Sequence, residues 1–568
     1  MPFTSRILRR ISSKSIVGGD DNSKMPTDVY RQMTKRRLWQ FCYWSGVVIL
    51  FGLAAWRRFT LPLDPIADPD TWGYLSPALR KLTGAAFGHT SGRNFIYPGF
   101  VYLLLKVFRD FRAITAAQHV LGLVAGGMLL LTWHRARVFL ARPRVSRGLY
   151  YVIGLVAAAV FLLASEPLHL EMQLRPEGLC AFVFSINLYV LAQFTACCVF
   201  EHRRVATAVY GVAGMFTSVL LASVKPSFML VSFLVLLPMG MLFFQQDQLW
   251  QKVVIGVGGA ASVLLLWLPE HFLSRNDRVS QTFLPTTLFV IHANLIRDQI
   301  ADDVARNAKL PYSPEWLRRI QAELSMELSK SGNHYKTLGF DPDYLMYNHT
   351  SIVAQLRKEF NGDVPAVCRF YRFYYLRIWH HRPVRVLEKI VRQLAIFYVP
   401  KCGAYKSRNL VSLADEYRRG VASLGSESYR KTWTAYPPAL QFMDRTQLLT
   451  ENSPVLRQPA YIGKLLDILA ATYLPLLFTT LGFGVMLLFQ RRHRSRLGCL
   501  VALVLFVYSY SLASCLEVAT IHSLENPRYM IVQMYFAILA QFLALWLIFE
   551  VVLELFSRAE ITSPGAAP

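Results

Sequence analysis

Acidic side chains are scarce in this chain. Its 568 residues hold 36 Asp and Glu against 61 Lys and Arg, and charged residues of both signs make up only 17%. An ordinary soluble domain carries about 25% charge, so this composition excludes a single water-soluble globule. Cysteine spacing is equally uninformative for metal: eight cysteines are present, with no CxxC and no Cys/His array, which removes a zinc module. No GxGxxG follows a strand and no Walker loop occurs, so a nucleotide site has no support. Repeats of solenoid period and an obvious inverted duplication are missing too. So is a cleavable leader: residues 1–37 are polar and basic, and the first apolar run starts near Leu38. That pattern reads as a disordered cytoplasmic tail followed by a signal anchor.

What is abundant is apolar sequence, 54% of the chain. A helix of about 20 apolar residues crosses roughly 30 Å of hydrocarbon. Ten runs meet that length: 38–57, 113–133, 148–166, 178–200, 205–223, 227–245, 252–269, 461–489, 497–517 and 530–556. The expected fold is therefore an all-α polytopic membrane protein. It has an N-terminal membrane module at 38–269, a polar region at 270–460, C-terminal spans at 461–557 and a short tail at 558–568. The net charge of +25 sits mainly at segment ends, where it reads as a topology signal and a contact for lipid headgroups rather than for nucleic acid.

The segment 95–108 is apolar but short, and Lys106 and Arg109 break into it. It reads as a helix lying in the interface. With that choice and the N-terminus inside, Arg135, Arg137, Arg142, Arg144 and Arg147 become cytoplasmic, as do Arg203, Arg204, Lys252 and the 491–496 arginines. Every short basic loop then obeys the positive-inside rule. The outer face receives the first loop 58–112, the second loop 167–177, the Lys225-Pro226 corner, region 270–460 and loop 518–529. Region 270–460 has helical spacing and dense aromatics, and is expected to form helices on or above the outer surface. Cys368 and Cys402 fall in it, either as one disulfide or as two free thiols.

Carboxylates beside a bilayer are costly and call for a reason. The first loop carries Asp64, Asp68 and Asp70 among Pro62, Pro65 and Pro69. A helix can start at Thr71, which makes Asp70 an N-cap, a catalytic group or both. The second loop carries Glu166, Glu171, Arg175 and Glu177. Glu177 opens a span, where the helix dipole favours it, and Glu171 or Glu177 is the candidate second acid. Arg93, Lys225, Arg297 and Arg528 are outward cations beside apolar segments. Snorkelling accounts for such residues, but a guanidinium also captures phosphate in bidentate fashion. His119, with Gln118, reads as a packed core residue.

In order along the chain, four motifs stand out: Asp68-Pro-Asp70-Thr-Trp-Gly-Tyr74, Arg93-Asn-Phe-Ile-Tyr97-Pro98, Arg175-Pro-Glu177 and Asn526-Pro-Arg528-Tyr529. This ordered set resembles the GT-C glycosyltransferases, especially the branch holding the protein O-mannosyltransferases and the lipid A aminoarabinose transferase. The resemblance covers about the first 230 residues and, more weakly, the last 110; region 270–460 matches no named pattern. It implies a GT-C-like bundle of about ten spans with interfacial helices in the first outer loop. It also implies transfer of a sugar from a polyprenyl-phosphate donor to a hydroxyl of a glycan, lipid or protein acceptor. The implied setting is a bacterial cytoplasmic membrane, with the site facing the periplasm or cell exterior.

On that resemblance Asp70 is the general base, with Glu171 or Glu177 as the second acidic group. Arg528, Lys225, Arg93 and Tyr529 hold the donor phosphate, while Asp68, Tyr74, Tyr97 and Arg175 position substrate. A divalent cation, Mg or Mn, on Asp70 and Glu171 is an open option. Asp70 is followed by Thr71 where the mannosyltransferases commonly have an Asp-Glu pair, and the Trp-Trp-Asp signature of oligosaccharyltransferases is missing. A transporter or flippase for a lipid-linked sugar, or a membrane scaffold, is the alternative; a transporter would need polar groups along a path across the spans rather than gathered at one end.

Overall fold

The computed structural model describes residues 27–88, 93–244, 248–275, 277–425 and 434–562, the side chains of 27–37, 491–492 and 555–562 excepted. The chain forms two compact units, Met1–Ile49 and Leu50–Pro568. In the first unit the described residues are helical throughout, part of a helix running Thr27–Phe59. That start lies ten residues before the tail was expected to end. No Gly or Pro interrupts residues 27–37, so nothing there breaks helical geometry. The rest of the expected N-terminal tail, and residues 563–568 of the C-terminal one, lie outside the described residues.

Among the described residues nine helices are long and apolar enough to cross a membrane, as expected for an integral membrane protein. They are Leu38–Phe59, Arg112–Phe139, Glu177–Phe200, Arg204–Val224, Pro226–Phe243, Leu249–Ser274, Ala460–Phe489, His493–Ile521 and Met534–Glu554. The tenth expected span is a bent pair, Arg147–Leu163 and Ser165–Met172, meeting at 45°. Two causes of the bend are local. Pro167 has no N–H for the carbonyl of Leu163, and Ala164 is extended at φ −64°, ψ 141°. Gln458 Oε1 then accepts from the Ser165 amide at 2.8 Å, satisfying a donor the break exposes. The short apolar segment is the helix Ile96–Phe108, 13 residues long, or about 20 Å at 1.5 Å per residue. That is too short to span, as expected.

Within the second unit the helix Arg112–Ala136 packs on Glu177–Thr195, which packs on Arg204–Val224, which in turn packs on Leu249–Ser274. Met534–Thr562 packs on Arg491–Ile521 and on Arg147–Leu163. Large apolar side chains such as Trp56, Val205, Leu265 and Leu488 stay exposed on the spans, a surface suited to lipid rather than water.

Region 270–460 is helical, as expected, apart from a small antiparallel pair, Leu410–Ser412 with Val455–Arg457. Between Arg275 and Pro459 no described helix is long and apolar enough to cross a membrane. Its last part docks on the first loop. Ile66, Leu168, Met172, Leu413, Tyr417 and Leu456 share one buried cluster, and Phe111 stacks on Phe442 at 4.5 Å. Asp64 is absorbed here: Arg445 Nε donates to its Oδ1 at 2.8 Å, and the Tyr417 hydroxyl donates to its backbone oxygen at 2.6 Å. Cys368 and Cys402 are both buried free thiols.

Candidate active-site cavity

The two acidic loops are tied together by backbone. Ile66 N–H donates to Met172 O at 2.8 Å and Leu174 N–H to Ile66 O at 2.9 Å. This short parallel bridge between Ile66 and Gln173 brings the aspartates of the first loop beside Arg175. Asp68, not Asp70, caps the helix Thr71–Leu82. Its Oδ1 accepts from the amides of Asp70 and Thr71 and from the Thr71 hydroxyl, each at 3.0 Å, and Asp68 also pairs with Arg175. Asp70 occupies the N-cap position with no side-chain capping bond. Of the roles left open for Asp70, side-chain capping therefore does not occur, because the cap is already filled from two residues upstream.

Freed from capping, Asp70 meets three guanidiniums. Arg93 Nη2 donates to Oδ1 at 2.8 Å and Arg528 Nη1 to Oδ2 at 2.5 Å, while Arg175 Nη2 lies 3.5 Å from Oδ2. Arg93 reaches in over Gly73, where any Cβ would collide with its guanidinium, and it stacks on Tyr74, its carbon 5.0 Å from the ring centroid. Burial pushes the Asp70 carboxyl up, but Arg528 and Arg93 outweigh it and hold Asp70 below its ordinary value.

Lys225 arrives from another direction. Pro226 ends the preceding helix, leaving Lys225 extended at the corner. Its ammonium pairs with Glu177 Oε1 at 2.8 Å and lies 4.6 Å from the centroid of Tyr529. The same ring carries the Arg528 guanidinium at 5.2 Å. Asp70, Tyr74, Arg93, Arg175, Lys225, Arg528 and Tyr529 all line one cavity of about 810 Å³. The lining also includes apolar side chains, Phe283, Leu284, Val290, Ile291, Val518 and Ile521 among them. Arg528 Nε and Arg175 Nε are buried and find no acceptor among the described residues. Unused guanidinium donors beside a carboxylate already engaged describe a pocket able to take a further anion.

No family model, curated protein or solved structure matches this chain.

Four expected site residues lie outside the cavity lining, one of them Asp68, taken up by the helix cap described above. Glu177 stands behind Lys225 as its counter-ion. Tyr97 is 1% exposed; its hydroxyl donates to Gln118 Oε1 at 2.9 Å and its ring meets Tyr74 edge-on. Glu171 belongs to a closed cluster. Arg58 Nε and Nη2 grip its two oxygens at 2.8 Å each, and His119 Nδ1 lies 2.9 Å from Oε2. His119 is thus a packed core residue, as read. Arg297 pairs with its neighbour Asp298 and is not in the cavity.

The divalent-cation option does not fit these residues. Asp70 and Glu171 each have both oxygens engaged by guanidiniums. No group of three or more His, Cys, Asp or Glu side chains gathers among the described residues.

Several cavity residues were not singled out from sequence: Asn94, Asp343, Tyr347, Glu517 and His522. Asp343 and Tyr347 come from region 270–460, whose pattern is amphipathic helix and whose polar residues are numerous; no local signal separates these two. His522 accepts from the Ser523 amide through Nδ1 at 2.7 Å. Burial, with the charge of Arg528, pulls it down to about 4, so it is neutral near pH 7. A second cavity, about 400 Å³, lies among the spans and is lined by groups such as Leu188, Met241 and Phe506 with no charged side chain.

Proposed function

We propose that this protein is an integral-membrane glycosyltransferase of GT-C type that moves a sugar from a polyprenyl-phosphate donor to an acceptor hydroxyl. The observation that carries the reading is the meeting, in one cavity, of three guanidiniums and an ammonium with a wall of aliphatic and aromatic side chains. A lipid-linked phosphate needs both: fixed cations for the head and apolar surface for the first isoprene units. By the positive-inside reading the cavity opens to the extracytoplasmic face.

In such a transfer the acceptor oxygen attacks the anomeric carbon and polyprenyl phosphate leaves. Negative charge grows on the leaving phosphate, and Arg528, Arg93, Arg175 and Lys225 stabilise it without reorganising. Direct displacement inverts the anomeric centre. The acceptor's proton passes to a cavity carboxyl, Asp70 by the sequence pattern or another that lines the same space. Charged side chains line the cavity at the loops, whereas the cavity among the spans has none, which favours chemistry over transport.

The test uses the purified protein with a panel of labelled polyprenyl-phosphate sugars, following release of polyprenyl phosphate. Arg528→Ala is expected to cut transfer by about 10²–10³-fold while the protein keeps its melting temperature. A wild-type protein that neither binds polyprenyl phosphate nor releases it from any donor would end the proposal.

A further inference from the structure

Three carboxyls line the cavity, and their surroundings differ. Asp70 shares its two oxygens with Arg93 and Arg528, and a carboxylate held that way is a weak base. Glu517 is 5% exposed and accepts from the Leu230 amide at 2.7 Å. Asp343 is open to the cavity. Its Oδ2 accepts one hydrogen bond, from the Tyr335 hydroxyl at 3.0 Å, and it has no ion pair among the described residues.

The segment around Asp343 is held against the loop that carries Arg528. Thr337 N–H donates to Glu525 Oε1 at 3.0 Å. Gln393 links the Thr337 hydroxyl, at 2.6 Å, to the Leu524 amide, at 2.7 Å. Asp341 accepts from the Asp343 amide at 2.9 Å, and Tyr335 and Phe340 form a backbone bridge. These contacts fix an exposed carboxylate on the same cavity as the cations, where an incoming hydroxyl can meet it.

We propose that Asp343 is the general base for the acceptor hydroxyl, and that Asp70 instead keeps the guanidiniums gathered for the donor phosphate; this rests on the transfer reading above. The acceptor O–H proton moves to an Asp343 oxygen as the acceptor oxygen bonds to the anomeric carbon. The bond from that carbon to the phosphate oxygen breaks, its electron pair leaves with polyprenyl phosphate, and Asp343 returns its proton to water. Asp343 therefore accepts from hydroxyl-bearing acceptors that reach the cavity past region 270–460. The charged and titratable groups around it are Tyr335, Asp341, Tyr347, Arg528 and Asp70. Desolvation by the surrounding walls, with Asp341, raises the Asp343 carboxyl above its ordinary value, against the pull of Tyr335 and Arg528. A base lifted in this way accepts protons more readily than the depressed Asp70.

The experiment compares Asp343→Asn, Asp343→Ala and Asp70→Asn in full-length protein, with polyprenyl phosphate as the binding probe and the donor panel for transfer. Asp343→Asn is expected to bind polyprenyl phosphate within about twofold of wild type and to lose roughly 10²–10⁴-fold in transfer, more than Asp70→Asn. Added formate is expected to restore part of the transfer in Asp343→Ala, a rescue that a purely structural residue does not show. Transfer by Asp343→Asn within threefold of wild type overturns the assignment while leaving the transfer reading intact. Loss of transfer in Asp343→Ala that formate leaves untouched also counts against it. A wild-type protein that binds no polyprenyl phosphate and transfers from no donor removes the reading and this assignment together.

Discussion

Two carboxylate–guanidinium clusters share the second loop, Glu171 in one and Arg175 in the other, a turn of chain apart. In the first, Arg58 is 0% exposed and every oxygen of Glu171 is used by Arg58 or His119. Gly122 opposite lacks the Cβ that would collide with the Glu171 carboxyl, so the helices close around the pair and exclude water. In the second, Asp70 is met by three arginines, yet Arg175 Nε and Arg528 Nε have no acceptor among the described residues, and both residues line open space. The chemistry of the groups is the same. The sealed cluster has both Glu171 oxygens engaged and is shut off from water, so it holds helices together; the open one has spare positive charge and room, the conditions for binding an anion.

The largest effect expected from this contrast is at Glu171. Glu171→Ala strands the buried Arg58 charge and is expected to cost about 3–5 kcal/mol, read as a lowered melting temperature in detergent. A loss below about 1 kcal/mol would mean the sealed cluster is not structural. Next comes Asp70→Asn. Removing the carboxylate that gathers Arg93 and Arg528 is expected to weaken binding of polyprenyl phosphate about tenfold, ~1.4 kcal/mol, with little change in melting temperature. Tighter binding instead would show that Asp70 competes with the phosphate for these guanidiniums rather than gathering them.

A smaller change is expected for Gly73→Ala, whose methyl pushes Arg93 off Asp70. Affinity for the same carrier should fall roughly two- to threefold, a fraction of 1 kcal/mol. The smallest effect concerns pH. His522 is held at about 4 against an ordinary 6.5. Below 6.5 the unfolded chain binds a proton that the folded one refuses, so stability is full above 6.5 and declines toward 4. Asp70, depressed in the fold, adds stability that disappears only at still lower pH. Replacing His522 with Gln is expected to flatten the decline between 6.5 and 4 in thermal melts.

Much of the architecture was legible along the chain because the bilayer imposes a length and a composition that a single helix must satisfy alone. The ten expected apolar runs correspond to nine spans and one bent pair. The short helix Ile96–Phe108 was readable from Lys106 and Arg109, and the Lys225 corner from Pro226. Candidate cations were legible for a related reason, since an arginine at an outer helix end departs from the usual charge bias. Asp343 and His522 left no such mark. Each is an ordinary polar residue in a polar stretch, and what distinguishes it is its place on a cavity whose lining comes from distant segments of the chain.

The chain's own order thus sufficed for helices, their membrane length and a short list of loop charges, because these depend on hydropathy and on breakers a few residues apart. Sorting those charges was a matter of long-range packing. The Ile66–Gln173 bridge and the docking of Glu525 on Thr337 set which carboxylate is sealed, which is caged and which stays open. No local pattern encodes that, since burial and ion pairing are properties of surfaces brought together from distant parts of the chain.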